Sequence, residues 1–191
     1  MRDEELVKAR LKESGRVKQV MAGNAAVVAK AAEAIAGAFR AGHKVLLFGN
    51  GGSAADAQHI AAELEGRFRK DRRPLPAIAL TTNTSSITAI GNDYDFSDIF
   101  ERLVHAHARE GDVVVGISTS GSSENVVKGI KAANDINAFS IVLCGEGGKL
   151  RMLADLTVSV PSKDTARIQE THITLGHIIC ELVEEKLFGR G

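Results

Sequence analysis

Lys44-Val-Leu-Leu-Phe48, then Gly49-Asn50-Gly51-Gly52-Ser53, then an alanine-rich run from Ala54 to Phe68, is the stretch whose reading decides the fold. The apolar run is too short for a core helix and lacks the polar alternation of a half-exposed strand, so it reads as a strand buried on both faces. The glycines and serine break it into a loop, and a helical period follows. Strand, small-residue loop and helix open a βαβ unit. Outward from there the same alternation recurs. Strand-like runs are Ala77–Leu80, Val113–Ile117, Ser140–Leu143 and Leu156–Val160, and helix-like runs are Ser97–His107, Glu124–Asn134, Gly148–Ala154 and Thr165–Phe188. This pattern predicts an α/β fold around a mostly parallel sheet.

The first 41 residues are helical by pattern. Leu6, Ala9, Val17, Val20 and Met21 mark one amphipathic stretch, and Val27, Val28, Ala31, Ala32, Ile35, Ala36 and Phe39 a second, with Gly42 as stop signal. The first stretch is charge-rich and thinly apolar, so it needs a neighbouring chain or the domain's own surface to pack on. With no repeat, low-complexity tract or linker, residues 1–191 are expected to form one domain with a helical extension over about 1–41. Arg67–Pro74 reads as a basic, solvated connection.

Lys plus Arg and Asp plus Glu both number 24. The chain therefore carries no basic field for nucleic acid or an acidic membrane surface, and little charge to keep copies apart. No run is apolar enough for a membrane span or a signal segment. Cys144 and Cys180 lie in apolar stretches with no metal-binding spacing, which suits reduced, buried thiols and a cytoplasmic location.

Ligands of open parallel sheets sit beyond the carboxyl ends of the strands. Two loops there are small and polar: Gly49–Ser53, and Ser118-Thr119-Ser120-Gly121-Ser122-Ser123. Glycine leaves backbone N–H groups open, the following helix adds unpaired N–H groups and the positive end of its dipole, and hydroxyls add donors. A plain turn with a serine N-cap is the ordinary reading of one such loop. Two of them at alternate strand ends point to a phosphate site. Gly49-x-Gly51-x-x-Ala54 also fits a dinucleotide fingerprint. The strand that should carry the ribose-binding acid ends Leu80-Thr81-Thr82-Asn83, so that reading is rejected.

His59 and Glu63 stand at i and i+4 on one helix face and are suitable zinc ligands, although such pairs are also common on surfaces. Gln169 and His177 are eight residues apart, about 12 Å along a helix, and reach one metal only if their side chains converge. Taken alone, Gln169 reads as a capping or surface residue and His177 as a core histidine. His105 and His107 are left as ordinary helix residues. His172 is harder to dismiss but has no assigned ligand role.

The motifs Gly49–His59, Ala89-Ile90-Gly91-Asn92-Asp93, Gly116–Gly121 and Arg167-Ile168-Gln169-Glu170-x-His172 carry a specific resemblance. The chain resembles the sugar isomerase (SIS) family, and within it the phosphoheptose isomerases, over essentially its whole length. The resemblance implies a three-layer, flavodoxin-like sandwich around a five-stranded parallel sheet. It implies substrate contacts from Asn50, Gly51, Gly52, Ser53, Glu63, Asn92, Asp93, Ser118, Thr119, Ser120, Ser123 and Gln169. It implies one zinc per subunit at His59, Glu63, Gln169 and His177, and a homotetramer with active sites at subunit interfaces. The implied reaction turns sedoheptulose 7-phosphate into D-glycero-D-manno-heptose 7-phosphate, for lipopolysaccharide or other surface glycans. Extended from the family, Glu63 is the base and His177 the acid, since enediol chemistry needs a carboxylate and an imidazole. A non-catalytic scaffold of the same family is the alternative, and the presence of all four candidate ligands speaks against it.

Overall fold

The computed structural model describes residues 2–189. Helix α1 spans Asp3–Ala22, and its first turn carries Asp3, Glu4 and Glu5, which suit the positive end of the helix dipole. Only Val17 and Met21 of α1 are buried. Helix α2, Ala25–Arg40, turns by 72° and buries Val28, Ala31, Ala32, Ile35 and Phe39, the stripe its sequence period dictates.

After α2 come strand β1 (Val45–Gly49), α3 (Gly52–Glu65), β2 (Ala77–Ala79), α4 (Thr84–Asp93), α5 (Ile99–His107), β3 (Val113–Ser118), α6 (Glu124–Asp135), β4 (Phe139–Cys144), β5 (Leu156–Ser159) and α7 (Thr165–Phe188). The five strands are parallel in the order β2-β1-β3-β4-β5. Alternate side chains of β1 enter opposite cores. Val45 and Leu47 join Val113, Val115 and Ile117 against α2, α3 and α7, while Leu46 and Phe48 join Val114 and Val142 against α5 and α6. Both faces are thus covered, which is why the strands read as unbroken apolar runs. Phe48 stacks on Phe100 with centroids 4.7 Å apart. That stack is roofed by Gly129, where a Cβ would lie 2.7 Å from the Phe48 ring.

Two expectations change. Helix α4 is absent from the sequence reading because Thr84-Ser-Ser-Ile-Thr carries weak helix formers. It forms because the Asn83 side chain accepts from Ser86 N–H and because Ile87 and Ile90 pack on the core. The helix expected over Gly148–Ala154 is one 3₁₀ turn, Lys149–Met152. Among the described residues no single helix is long and apolar enough to cross a membrane.

Candidate active site

The strand order reverses direction between β1 and β3, and there the two loops lie side by side. Gly49 touches the neighbouring strand, for a Cβ on it would sit 2.7 Å from the Ile117 carbonyl oxygen. Gly51 has φ +56°, a conformation that favours glycine. Asn50 and Asn125 exchange two amide hydrogen bonds, of 2.8 and 2.9 Å, which tie the first loop to the start of α6.

In the second loop Ser118 Oγ lies 3.0 Å from Ser123 Oγ and 3.4 Å from Ser120 Oγ. Gly121 has φ +65°, and its flat backbone lets the Gly147–Gly148 turn press against it. Three hydroxyls therefore meet at the amino end of α6, where backbone N–H groups lack intrahelical partners. Thr119 and Ser120 also line an open cleft with Ser162, Lys163 and Thr165. Lys163 adds a cation to the rim of this cleft.

Helices α3 and α7 run side by side in the same direction. Two glycines let them approach: a Cβ on Gly52 would sit 2.1 Å from the Gln169 amide, and one on Gly176 would sit 2.6 Å from Ile60. This seating brings His59 Nε2 to 2.9 Å from His177 Nε2, and His59 Nε2 to 3.3 Å from Glu63 Oε1. The three donor atoms all lie within 4.8 Å of one another. Two imidazoles and one carboxylate aimed at one point form a donor set that zinc accepts. The Phe68 ring stacks on His177 at 5.4 Å and 15°.

Residues 12–145 match the family model described as SIS domain. The phosphoheptose isomerase of Aquifex aeolicus (strain VF5) is 58% identical over 97% of this chain and 98% of its own. The chain belongs to the phosphoheptose isomerase family. Two solved phosphoheptose isomerases share its fold. That of Neisseria gonorrhoeae superposes with TM-score 0.91 at 45% identity, covering 95% of this chain and 98% of that one. That of Francisella tularensis superposes with TM-score 0.93 at 37% identity, covering 97% and 100%.

Set on this phosphoheptose isomerase framework, the remaining candidates fall in separate places. Gln169 lies eight residues before His177, its amide on Gly52 at the start of α3. Ser53 is buried in the first turn of α3. Asn92 and Asp93 end α4, exposed and bonded to each other at 2.9 Å. Among the described residues no hydrogen bond ties them to either loop. His105 and His107 are exposed on α5.

The structure adds to or revises the reading of several groups. Asp56 is buried on α3, one turn past Gly52, with Oδ2 unpartnered among the described residues. Burial pushes its carboxyl up to about 6, with nearby His59 opposing. His172 is fully buried, and neither ring nitrogen has a well-formed hydrogen bond among the described residues. Burial pulls it down to about 4, and the Cys144 backbone opposes this only in part. Arg67–Pro74 is not simply solvated, because the Arg72 side chain is buried against Glu184. A lone polar residue in an apolar helical stripe was the available signal for Asp56. Asn125 and Arg72 gave none.

Proposed function

We propose that this chain is a ketose–aldose isomerase acting on sedoheptulose 7-phosphate. The observation that carries the reading is a phosphate-type serine loop at the sheet's switch point together with a histidine–carboxylate group on the adjoining helix pair. Ser118, Thr119, Ser120 and Ser123 hold the phosphate with the α6 amino end. Asn50, Gly51, Gly52 and Ser53 border the sugar. Asn92, Asp93 and Gln169 are kept as substrate contacts on the family resemblance alone.

Glu63 takes the proton from C1 of the ketose and returns it to C2 through an enediol, while His177 moves the proton between the two oxygens. The product is the aldose, D-glycero-D-manno-heptose 7-phosphate, a precursor for lipopolysaccharide or other surface glycans. His59, Glu63 and His177 would hold one zinc ion per subunit, with Gln169 as fourth ligand on the resemblance alone. When bound, zinc supplies Lewis-acid polarisation of the sugar oxygens. Glu63 is side-chain exposed by only 23%, which favours a dry proton transfer.

The chain is read as one domain that assembles as a homotetramer. Met21, Ala25, Val28, Leu175 and Ile178 line an open apolar groove, and Val7 and Leu11 are exposed on α1. A second copy laid on these faces would cover them. His59, Asn92 and Asp93 lie at the surface, where a neighbouring copy would complete an active site between subunits. The cytoplasm is the proposed location, because a phosphorylated sugar does not cross a bilayer unaided. One experiment tests these readings: NMR of sedoheptulose 7-phosphate turnover, on protein whose mass is followed by light scattering and whose metal is counted by elemental analysis. Turnover by a zinc-bearing tetramer is expected. No turnover would sink the isomerase reading, an active monomer the assembly, and full activity without metal the zinc.

A further inference from the structure

Beyond the groups that would touch substrate, a charged pair lies buried behind them. Arg72 Nε lies 3.0 Å from Glu184 Oε1, and both side chains are only 1% exposed. Most of the rest of the guanidinium meets the end of α3, with one further bond from Nη1 to the Arg73 carbonyl at 3.2 Å. Nη2 donates to the Glu63 carbonyl at 2.8 Å, and Nη1 to the carbonyls of Leu64 at 2.7 Å and Gly66 at 3.0 Å. These carbonyls lack partners within the helix, so Arg72 caps α3 at the very turn that carries Glu63. Glu184 is as fully engaged. Its oxygens accept the backbone N–H groups of Phe68, Arg69 and Lys70, each at 2.9 Å. The first of those residues supplies the ring stacked on His177.

We propose that the Arg72–Glu184 pair is a positioning device that sets Glu63 and His177 relative to each other. Arg72 holds the Glu63 end of α3, Glu184 holds the Phe68 ring against His177, and the ion pair joins the two. A buried pair stabilises little more than well-packed apolar side chains would. What it adds is direction: a planar fork reaching several acceptors at once, which lysine cannot reproduce. Burial works against the Glu184 charge, yet the three N–H bonds and Arg72 hold its carboxyl below the usual range, so it stays ionised in place. Neither residue reaches reacting atoms, so both act through Glu63, Phe68 and His177.

The consequence for turnover rests on the isomerase reading, but the geometry has its own readout. A stacked Phe68 ring shifts the Cε1–H resonance of His177, which is assigned by its loss in His177→Gln. Three variants are compared with the parent after circular dichroism and light scattering show fold and mass unchanged. Phe68→Leu calibrates the shift by removing the ring. Arg72→Lys and Glu184→Gln are expected to move the same resonance toward the Phe68→Leu position. They are also expected to lower kcat for sedoheptulose 7-phosphate by about tenfold or more, with KM changed less than about twofold, because misplacement affects the chemistry and not the phosphate. If Arg72→Lys does not fold, the nearly isosteric Glu184→Gln decides. A lowered melting temperature with the resonance and kcat left at parental values would overturn the proposal and make the pair purely stabilising. If the parent turned over no sedoheptulose 7-phosphate, the isomerase reading would fall while the resonance still decided the clamp.

Discussion

Ser118 and Ser123 meet across five residues of one loop, whereas His59 and His177 meet across 118 residues and two helices. The serine loop is set mostly by its own backbone, by Gly121 and by the end of β3, with the Gly145–Leu150 segment bonded to the Thr119 and Gly121 carbonyls. The histidine group has no shape of its own. It exists because Gly52 and Gly176 let α3 and α7 close together. The proposed phosphate loop is therefore built largely locally and the proposed acid–base group across the fold, and a substitution in one is expected to leave the other standing.

Glu63→Gln breaks the comparison hardest. It keeps the side-chain volume next to His59 and removes the proposed base. General base catalysis contributes about 10²–10⁴-fold, so kcat should fall by that much while KM stays near the parental value. The mutant should also stop exchanging the substrate's C1 hydrogen with deuterated solvent. Exchange at the parental rate would take the base role from Glu63 and pass it to another carboxylate, with Asp93 the first to try.

Ser120→Ala tests the other half. Its hydroxyl faces Ser118 and accepts the Ser122 N–H at 3.2 Å, so its loss would remove the proposed phosphate donor and loosen the loop. A hydrogen bond to a charged group contributes about 1.5–3 kcal/mol, so KM should rise about tenfold or more. kcat should change much less, because the phosphate lies at the far end of the sugar from the reacting carbons. Equal affinity of mutant and parent for a phosphorylated sugar, measured by calorimetry, would show that Ser120 does not hold the phosphate.

The same contrast explains what the sequence made legible. The βα alternation and both small-residue loops are local patterns, and they appear where expected, with α3 starting two residues earlier than its period suggested. Helix α4 was missed because its stability comes from the Asn83 cap and the seating of Ile87 and Ile90, which are tertiary facts. His59 and Glu63 could be paired by helical spacing, but His177 could be joined to them only by family resemblance. Arg72 and Glu184 were invisible for the same reason: a buried ion pair between a loop and a distant helix leaves no periodic trace.

The smallest expected effect falls on Asp56, which belongs to the helix pair but makes no hydrogen bond there among the described residues. Its carboxyl is pushed from 3.8 up to about 6 by burial. Between those values the unfolded chain has released the proton while the folded chain still holds it. The folded state then binds more protons, so this group's contribution to stability falls as pH rises through the window. Above about pH 6 the full penalty is present, on the order of 2–3 kcal/mol at most. Asp56→Asn removes the charge and should raise the melting temperature at pH 7.5, with the advantage shrinking toward pH 4. His172 acts with the opposite sign. Its pKa is pulled from 6.5 down to about 4, so across that range the unfolded chain binds more protons and stability rises with pH. The two contributions overlap and nearly hide each other in the parent's own pH profile. The mutant-minus-parent difference cancels His172, so it is the quantity to measure. A difference that stays flat from pH 4 to pH 8 would show that Asp56 does not titrate there, and that its unpartnered oxygen is solvated within the helix pair.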